Sequence, residues 1–260
     1  MIAPDDRGFT LGHGLFETVL FLKGEPVDWE AHMGRLERGC PVLGLPRPEP
    51  GACRRAAEQA LTAAGGPARA AVRVNWSAGP GGRGLDPPDR LAPRLTAHAS
   101  AVAAPERPVS LATVSVRRNE HSPASRLKTL AYLDNVLARA EARRAGAEEA
   151  LMLNTAGRLA CAAVANLFWV EGESLRTPAL ACGVLGGIMR ARVLAACRAL
   201  GLPAVEVEAA PAEMRGRPAF ITNSLVGVRR VDRLDGEALP DSPIVAALAR
   251  AVEPFAPDAE

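Results

Sequence analysis

The chain has 260 residues, 48% of them hydrophobic and 23% charged, the composition of a globular protein able to bury one large or two modest cores. A formal net charge of +2, scattered basic residues and only 4% aromatics exclude a partner gripped by charge or base stacking, so no nucleic acid is expected. There is no membrane-length apolar run, no signal-peptide pattern in "MIAPDDRGFT", and no metal spacing among Cys40, Cys53, Cys161, Cys182 and Cys197, which predicts a cytoplasmic protein with reduced thiols, no membrane and no metal.

The first predicted element is a β-hairpin, "GLFETVLFLKGEPVDW", turning at Lys23-Gly24-Glu25-Pro26. Asp28 is placed to cap the helix that follows, "WEAHMGRLERGCPVLG", which Pro41 ends or kinks. A second helix, "CRRAAEQALTAAGG", closes at Gly65-Gly66. "ARAAVRVNWSAG" alternates as a half-buried strand and runs into the loop "GPGGRGLDPPDR". Two more strands, "PRLTAHASAV" and "VSLATVSV", flank a Pro-rich stretch at about 104–108. That stretch divides the chain into a smaller domain, 1–104, and a larger one, 109–260, which carries Lys128. A helix over "YLDNVLARAEARRAG" then bears apolar residues at Leu133, Val136, Leu137 and Ala140. Short strands, the helix "GIMRARVLAACRALG", three more strands and a helix over "PIVAALARAV" complete the chain. Strands and helices mix without strict βα alternation, so the class is α+β.

Four features bear on chemistry. Only two of 31 basic residues are lysines, Lys23 in the hairpin turn and Lys128 after a Ser/Pro loop. Where charge alone is needed this chain uses arginine, so Lys128 beside an apolar segment reads as a Schiff-base nucleophile, against the bland reading of a solvated lysine. Gly186-Gly187 before a helix leaves the N–H groups of Gly187, Ile188 and Met189 for an anion, or is an ordinary glycine turn. His32 and Arg35 share a helical face, where Arg35 suits a phosphate or carboxylate and a surface arginine is the commoner case. Arg83 lies in "GPGGRG", whose spacing matches neither a Walker A nor a dinucleotide fingerprint.

In order along the chain, "DRGFTLGHGLFET", "HMGRLERG", "LKTLAYLDNVLARAEARRAGAEEALMLNTAGRLACAAVANLFWV", "GVLGGIMR" and "ITNSLVGVRRV" resemble the class IV aminotransferases, the fold type IV pyridoxal-phosphate enzymes. The likeness runs from about residue 5 to 232. It is strongest to aminodeoxychorismate lyases, with branched-chain and D-amino-acid aminotransferases as cousins. The resemblance implies a two-domain, D-amino-acid-aminotransferase-like α+β fold, pyridoxal 5'-phosphate as cofactor and a homodimer. It also implies that Lys128 forms the Schiff base and shuttles the substrate proton. Arg35, Gly187, Ile188, Met189 and Ser224 would hold the phosphate, and Leu185 would lie against the ring. Thr18 would place a hydroxyl near the reacting carbon, with Arg83, Phe16 and His13 toward the substrate.

The pattern breaks at one place. Relatives carry a glutamate five residues before the Asn of "ANLF", where it keeps the pyridine nitrogen protonated. Counting back from Asn166 gives Cys161. A thiol is a poor acceptor, and losing such a charge-assisted bond is worth about 1.5–3 kcal/mol. A Cys161 thiolate is a further option. Ala131 and Leu85 also stand where relatives often carry Asn and Tyr. Three readings follow: a lyase releasing pyruvate from 4-amino-4-deoxychorismate to give 4-aminobenzoate, an aminotransferase for a D-amino acid, branched-chain amino acid or amine, and a catalytically silent scaffold.

Overall fold

A computed structural model describes residues 3–105 and 107–252. Of the Pro-rich stretch expected to separate two domains, Glu106 lies outside the described residues, as do 1–2 and 253–260 at the ends of the expected domains. The chain divides into two compact units. One holds the residues up to Ala103 together with Leu127–Tyr132, and the other Ala104–Arg126 together with the residues from Leu133 on.

The first unit contains helix α1 (Arg7–Leu11), strands β1 (Gly14–Leu22) and β2 (Glu25–Pro26), helices α2 (Trp29–Gly39) and α3 (Ala52–Ala63), and strands β3 (Arg69–Ser77) and β4 (Arg94–Ala101). Its antiparallel sheet runs β2-β1-β3-β4. The predicted hairpin forms, with Lys23 and Gly24 both at positive φ. Asp28 occupies the N-cap position of α2 but makes no capping bond with its side chain, because its own backbone is left-handed, at φ 56°. One face of the sheet is apolar: Val19 and Phe21 on β1 and Val72 and Val74 on β3 pack with Met33 of α2 and Cys53, Ala57 and Leu61 of α3. Helix α1, unforeseen in the sequence, is held by the Asp6 carboxylate accepting from the Gly8 N–H at 2.8 Å.

The second unit contains β5 (Val109–Arg118), α4 (Leu133–Arg144), β6 (Glu149–Asn154), β7 (Leu159–Ala162), β8 (Asn166–Glu171), β9 (Ser174–Pro178), α5 (Ile188–Ala199), β10 (Ala204–Val207), β11 (Ala219–Asn223), β12 (Gly227–Leu234), β13 (Glu237–Ala238) and α6 (Pro243–Ala251). Its strands run β10-β9-β8-β11-β12-β5-β6-β7, with β13 beside β12. The β5–β6, β5–β12 and β9–β10 pairs are parallel and the others antiparallel, the mixed sheet of an α+β fold. Leu111, Leu151, Leu167, Trp169, Ile221 and Val231 lie in one core, while Ala150, Met152, Cys161, Ala138 and Ala142 lie in another beneath α4.

Two features depart from the sequence expectations. Lys128 belongs to the first unit, not the second. Its segment is stitched onto β1: Phe16 N–H donates to the Lys128 carbonyl at 2.8 Å, and Leu130 N–H to the Gly14 carbonyl at 2.9 Å. Thr129 bridges Leu15 between them. Helix α4 also turns its small residues inward, so Leu133, Val136 and Leu137 stay 67%, 60% and 49% exposed.

Candidate active site

The site residues fall into two sets, one in each unit. In the first unit, strand alternation sorts β1: Leu15, Glu17, Val19 and Phe21 face the helices, and Phe16, Thr18 and Leu20 face the other way. Lys128 Nζ lies 4.3 Å from the centre of the Phe16 ring and 5.5 Å from that of Tyr132. Thr18 pairs with Arg73 on β3, so both emerge on that same face. The Arg73 guanidinium sits 3.6 Å from the Phe16 ring centre and donates from Nε to Asn75 Oδ1 at 2.7 Å. No carboxylate pairs with it among the described residues. Burial lowers its pKa, with Tyr132 acting the other way.

The Lys128 amine is held down to about 8, mainly by desolvation, with the Arg35 and Arg73 charges adding and Glu17 opposing. A ring contact of this kind favours the ammonium by about 0.5–2 kcal/mol. Desolvation outweighs it, and the amine is neutral far more often than a solvated lysine would be.

Behind Phe16, Glu17 is wholly buried and accepts three bonds at 2.7 Å, from Arg35 Nε, Arg35 Nη2 and His32 Nδ1. Burial pushes its carboxyl up, but the Arg35 charge and hydrogen bonds and then His32 outweigh this and hold it at about 2. The predicted His32/Arg35 face therefore converges on a carboxylate, with two of the Arg35 fork nitrogens on Glu17. Sequence reading had assigned Glu17 no role, although a charge on the apolar face of a strand was the available signal. Arg73 was missed as well, since nothing along "ARAAVRVNW" distinguishes it from a solvated strand arginine. Arg83 lies exposed on its loop, and His13 is bound on both ring nitrogens, to Arg7 and to the Leu43 carbonyl.

In the second unit, α5 begins at Gly187 with no side-chain cap, which leaves its first N–H groups, those of Ile188 and Met189, suited to an anion. Asn166 Nδ2 donates to the Leu185 carbonyl at 2.9 Å, and a Cβ on Gly187 would stand 2.0 Å from Asn166 Oδ1. Glycine is required there by this close approach. Gly187→Ala is expected to weaken phosphate-bearing ligands at least about tenfold, or about 1.4 kcal/mol; fluorescence titration with pyridoxal phosphate checks this, and unchanged affinity would refute it. The half-buried Ser224 lies in a turn that Asn223 staples by accepting from the Leu225 and Val226 N–H groups at 2.9 and 3.1 Å. Asn223 also reaches the Val164 carbonyl, and Asn135 the Ala163 carbonyl, so the loop after β7 is pinned from several sides.

Cys161 sits on β7 opposite Met152 and is buried. Burial pushes its thiol up; the Arg118 charge pulls the other way without overcoming it, and Glu149 adds to the rise. Burial thus favours the neutral Cys161 thiol over the thiolate. Arg118, far away in sequence, is the basic neighbour that linear reading missed. Glu149 is engaged within the protein: its Oε1 accepts from the Ala150 and Ala163 N–H groups at 2.8 and 3.2 Å, and its Oε2 lies 3.8 Å from Arg139 Nη1.

The profile of the amino-transferase class IV family matches residues 14–234. The chain is 29% identical to an aminodeoxychorismate lyase of Vibrio harveyi, covering 92% of this chain and 88% of that one. It resembles the structure of a candidate 4-amino-4-deoxychorismate lyase from Legionella pneumophila with a TM-score of 0.89 at 29% identity, covering 95% and 92% of the two chains. A hypothetical aminotransferase of Mycobacterium tuberculosis in its pyridoxal-phosphate-bound form superposes with a TM-score of 0.84 at 25% identity, covering 97% and 92%.

Proposed function

The chain belongs to the class IV aminotransferases, and from that premise we propose that it is a lyase converting 4-amino-4-deoxychorismate into 4-aminobenzoate and pyruvate. The family depends on pyridoxal phosphate and its fold is fold type IV. The residues fit that group: a desolvated amine at Lys128, an uncapped helix at Gly187, and a Gly187 that leaves room for no side chain. In this reading Lys128 would carry the cofactor, Ile188, Met189, Ser224 and Arg35 would hold its phosphate, and Leu185 and Cys161 would flank its ring. Bound there, it supplies an electron sink that lets a proton leave the carbon bearing the substrate amino group.

This chain's groups do the rest. The Lys128 amine, neutral above about pH 8, accepts that proton. Arg73, a cation close to Lys128 with no carboxylate partner among the described residues, binds a substrate carboxylate, and Thr18 on the same face offers its hydroxyl to the leaving oxygen. The ring carbon–oxygen bond to the enolpyruvyl group then breaks, enolpyruvate leaves and ketonises, and the amino nitrogen stays on the aromatic product.

The observation that favours elimination over transamination is the neutral Cys161 thiol. It supplies no negative charge to hold a proton on a pyridine nitrogen. Transamination depends heavily on that proton, whereas elimination gains its drive from aromatisation. The lyase of Vibrio harveyi and the candidate lyase of Legionella pneumophila named above support the same choice, while the Mycobacterium tuberculosis aminotransferase marks the alternative. Incubating the protein with pyridoxal phosphate and 4-amino-4-deoxychorismate tests it: 4-aminobenzoate and pyruvate are expected in equal amounts with no free ammonia. Amino transfer from a D- or branched-chain amino acid in their place would make it an aminotransferase, and neither product nor a Lys128 adduct would leave only a scaffold.

Cys161→Glu is expected to raise amino transfer to keto acids by one to two decades, the rate equivalent of about 1.5–3 kcal/mol. Half-reaction rates in a stopped-flow spectrometer check this; no gain would remove Cys161 from the ring nitrogen. No helix among the described residues is long and apolar enough to cross a membrane. A cytoplasmic homodimer completes the proposal, supported by the uncovered Leu133, Val136 and Leu137 on α4. Light scattering should give the mass of two chains, and a single-chain mass would refute it.

A further inference from the structure

We propose that Arg7 is a positioning residue: its buried guanidinium holds the glycine-rich loop 81–86 in one conformation and so sets where Arg83 and Leu85 meet the substrate. The substrate part of this rests on the lyase reading, while the geometry stands without it.

Arg7 is only 3% exposed, yet no carboxylate pairs with it among the described residues. Its neighbour Asp6 is engaged elsewhere, accepting from the Gly8 N–H at 2.8 Å and the Ser77 hydroxyl at 2.9 Å. The guanidinium is surrounded by loop carbonyls. Nη1 donates to Gly81 and Gly84 at 3.3 Å each and to Asp86 at 3.2 Å, and Nη2 donates to Leu85 at 2.6 Å. Nε donates to His13 Nδ1 at 3.3 Å. His13 Nε2 faces the Leu43 carbonyl at 2.8 Å, an acceptor only, so the ring proton sits on Nε2 and Nδ1 is free to accept. A buried cation needs compensation, and here four carbonyl dipoles supply it.

The converse dependence matters more. Residues 82–90 are all exposed, and Leu85 is 80% exposed, so no apolar packing shapes the loop. What shapes it is the planar five-donor fork of one arginine, a pattern that the three mobile donors of lysine do not reproduce. The loop also lies directly on the arginine stem: a Cβ on Gly81 would stand 2.1 Å from Arg7 Cδ and 2.6 Å from Cγ. With its carbonyls turned onto Arg7, the loop leaves the Arg83 and Leu85 side chains in solvent at fixed stations. Arg83 is thereby presented to a substrate carboxylate and Leu85 to an apolar ring face.

The test compares wild-type holoenzyme with Arg7→Lys and Gly81→Ala, the second keeping the guanidinium while pushing the loop off its stem. Both variants should bind pyridoxal phosphate at Lys128 as the wild type does. Both should raise KM for 4-amino-4-deoxychorismate about tenfold or more with kcat held within about threefold, the sign of lost uniform binding. Trypsin should cut after Arg83 faster in both variants, as mass spectrometry of the fragments reads. A fall in kcat at unchanged KM, or unchanged cleavage after Arg83, overturns the proposal. Should Arg7→Lys not fold, Gly81→Ala decides alone. Wild-type protein that turns over no amino substrate refutes the lyase reading, and the cleavage rates then still decide the role of Arg7.

Discussion

Lys128→Arg is expected to abolish turnover, by about 10³-fold or more, because it removes the group that carries the substrate proton as well as the covalent link to the cofactor. The charge is kept, so the surroundings of Phe16, Arg73 and Glu17 change little and the variant should fold. Arginine remains protonated in a protein and cannot add to a carbonyl carbon. Borohydride reduction followed by peptide mapping reads the outcome: the wild type should carry the cofactor on the peptide containing Lys128, and the variant nowhere. An adduct on Lys23, or retained turnover in the arginine variant, would sink the assignment. The pH dependence is specified too. The amine is held at about 8, against an ordinary value of 10.5. Below that point the rate at which added cofactor becomes attached should rise about tenfold per pH unit, as the neutral fraction does, and level off above it. A rate still climbing at pH 10 would mean an unperturbed lysine.

Glu17→Gln is expected to lower stability by about 3 kcal/mol at pH 7, since a carboxyl held at about 2 in the fold against an ordinary 4.5 differs by that much. The sign follows from the depressed pKa. The stabilisation is fully present above about pH 4.5 and is lost as pH falls through about 2. The gap between wild type and variant should therefore close across that window. Urea midpoints at pH 7, 4 and 3 check it, and a gap independent of pH would refute it. Glutamine retains one acceptor but leaves the partly buried Arg35 guanidinium beside a neutral group, which is why the loss is large for one atom exchanged. The same change removes the anion that opposes desolvation at Lys128, so the amine should become still harder to protonate.

Much of the fold was legible along the chain because its signals are local. The hairpin at Lys23-Gly24, the helix after Asp28 and the strand "ARAAVRVNW" follow from turn chemistry and period, and each forms where expected. The lysine proposed as functional was legible for a chemical reason: arginine cannot form a Schiff base in its place. What linear reading could not reach are contacts made across many residues. Nothing near Lys128 in sequence says that it joins β1, because the bonds from Phe16 and Leu130 that place it depend on an edge formed more than a hundred residues earlier. Helix α4 carries an apolar stripe, yet close seating on β5 and β6 admits Ala138 and Ala142 and leaves Leu137 outside. Asp6 and Arg7 are adjacent in sequence, and folding gives them separate partners, Ser77 for one and the carbonyls of loop 81–86 for the other.

By itself, then, the sequence determined the element types, the α+β class and the family likeness, and it singled out Lys128 as the proposed nucleophile, all of which rest on short-range pattern and residue chemistry. Only the tertiary structure decided the electrostatic states: a Glu17 kept ionised by Arg35 and His32, a Lys128 amine made easier to deprotonate by burial, and a Cys161 thiol pushed up by burial despite Arg118. Charge state depends on solvent exclusion and on neighbours a few ångströms away, and neither quantity exists until the chain has folded.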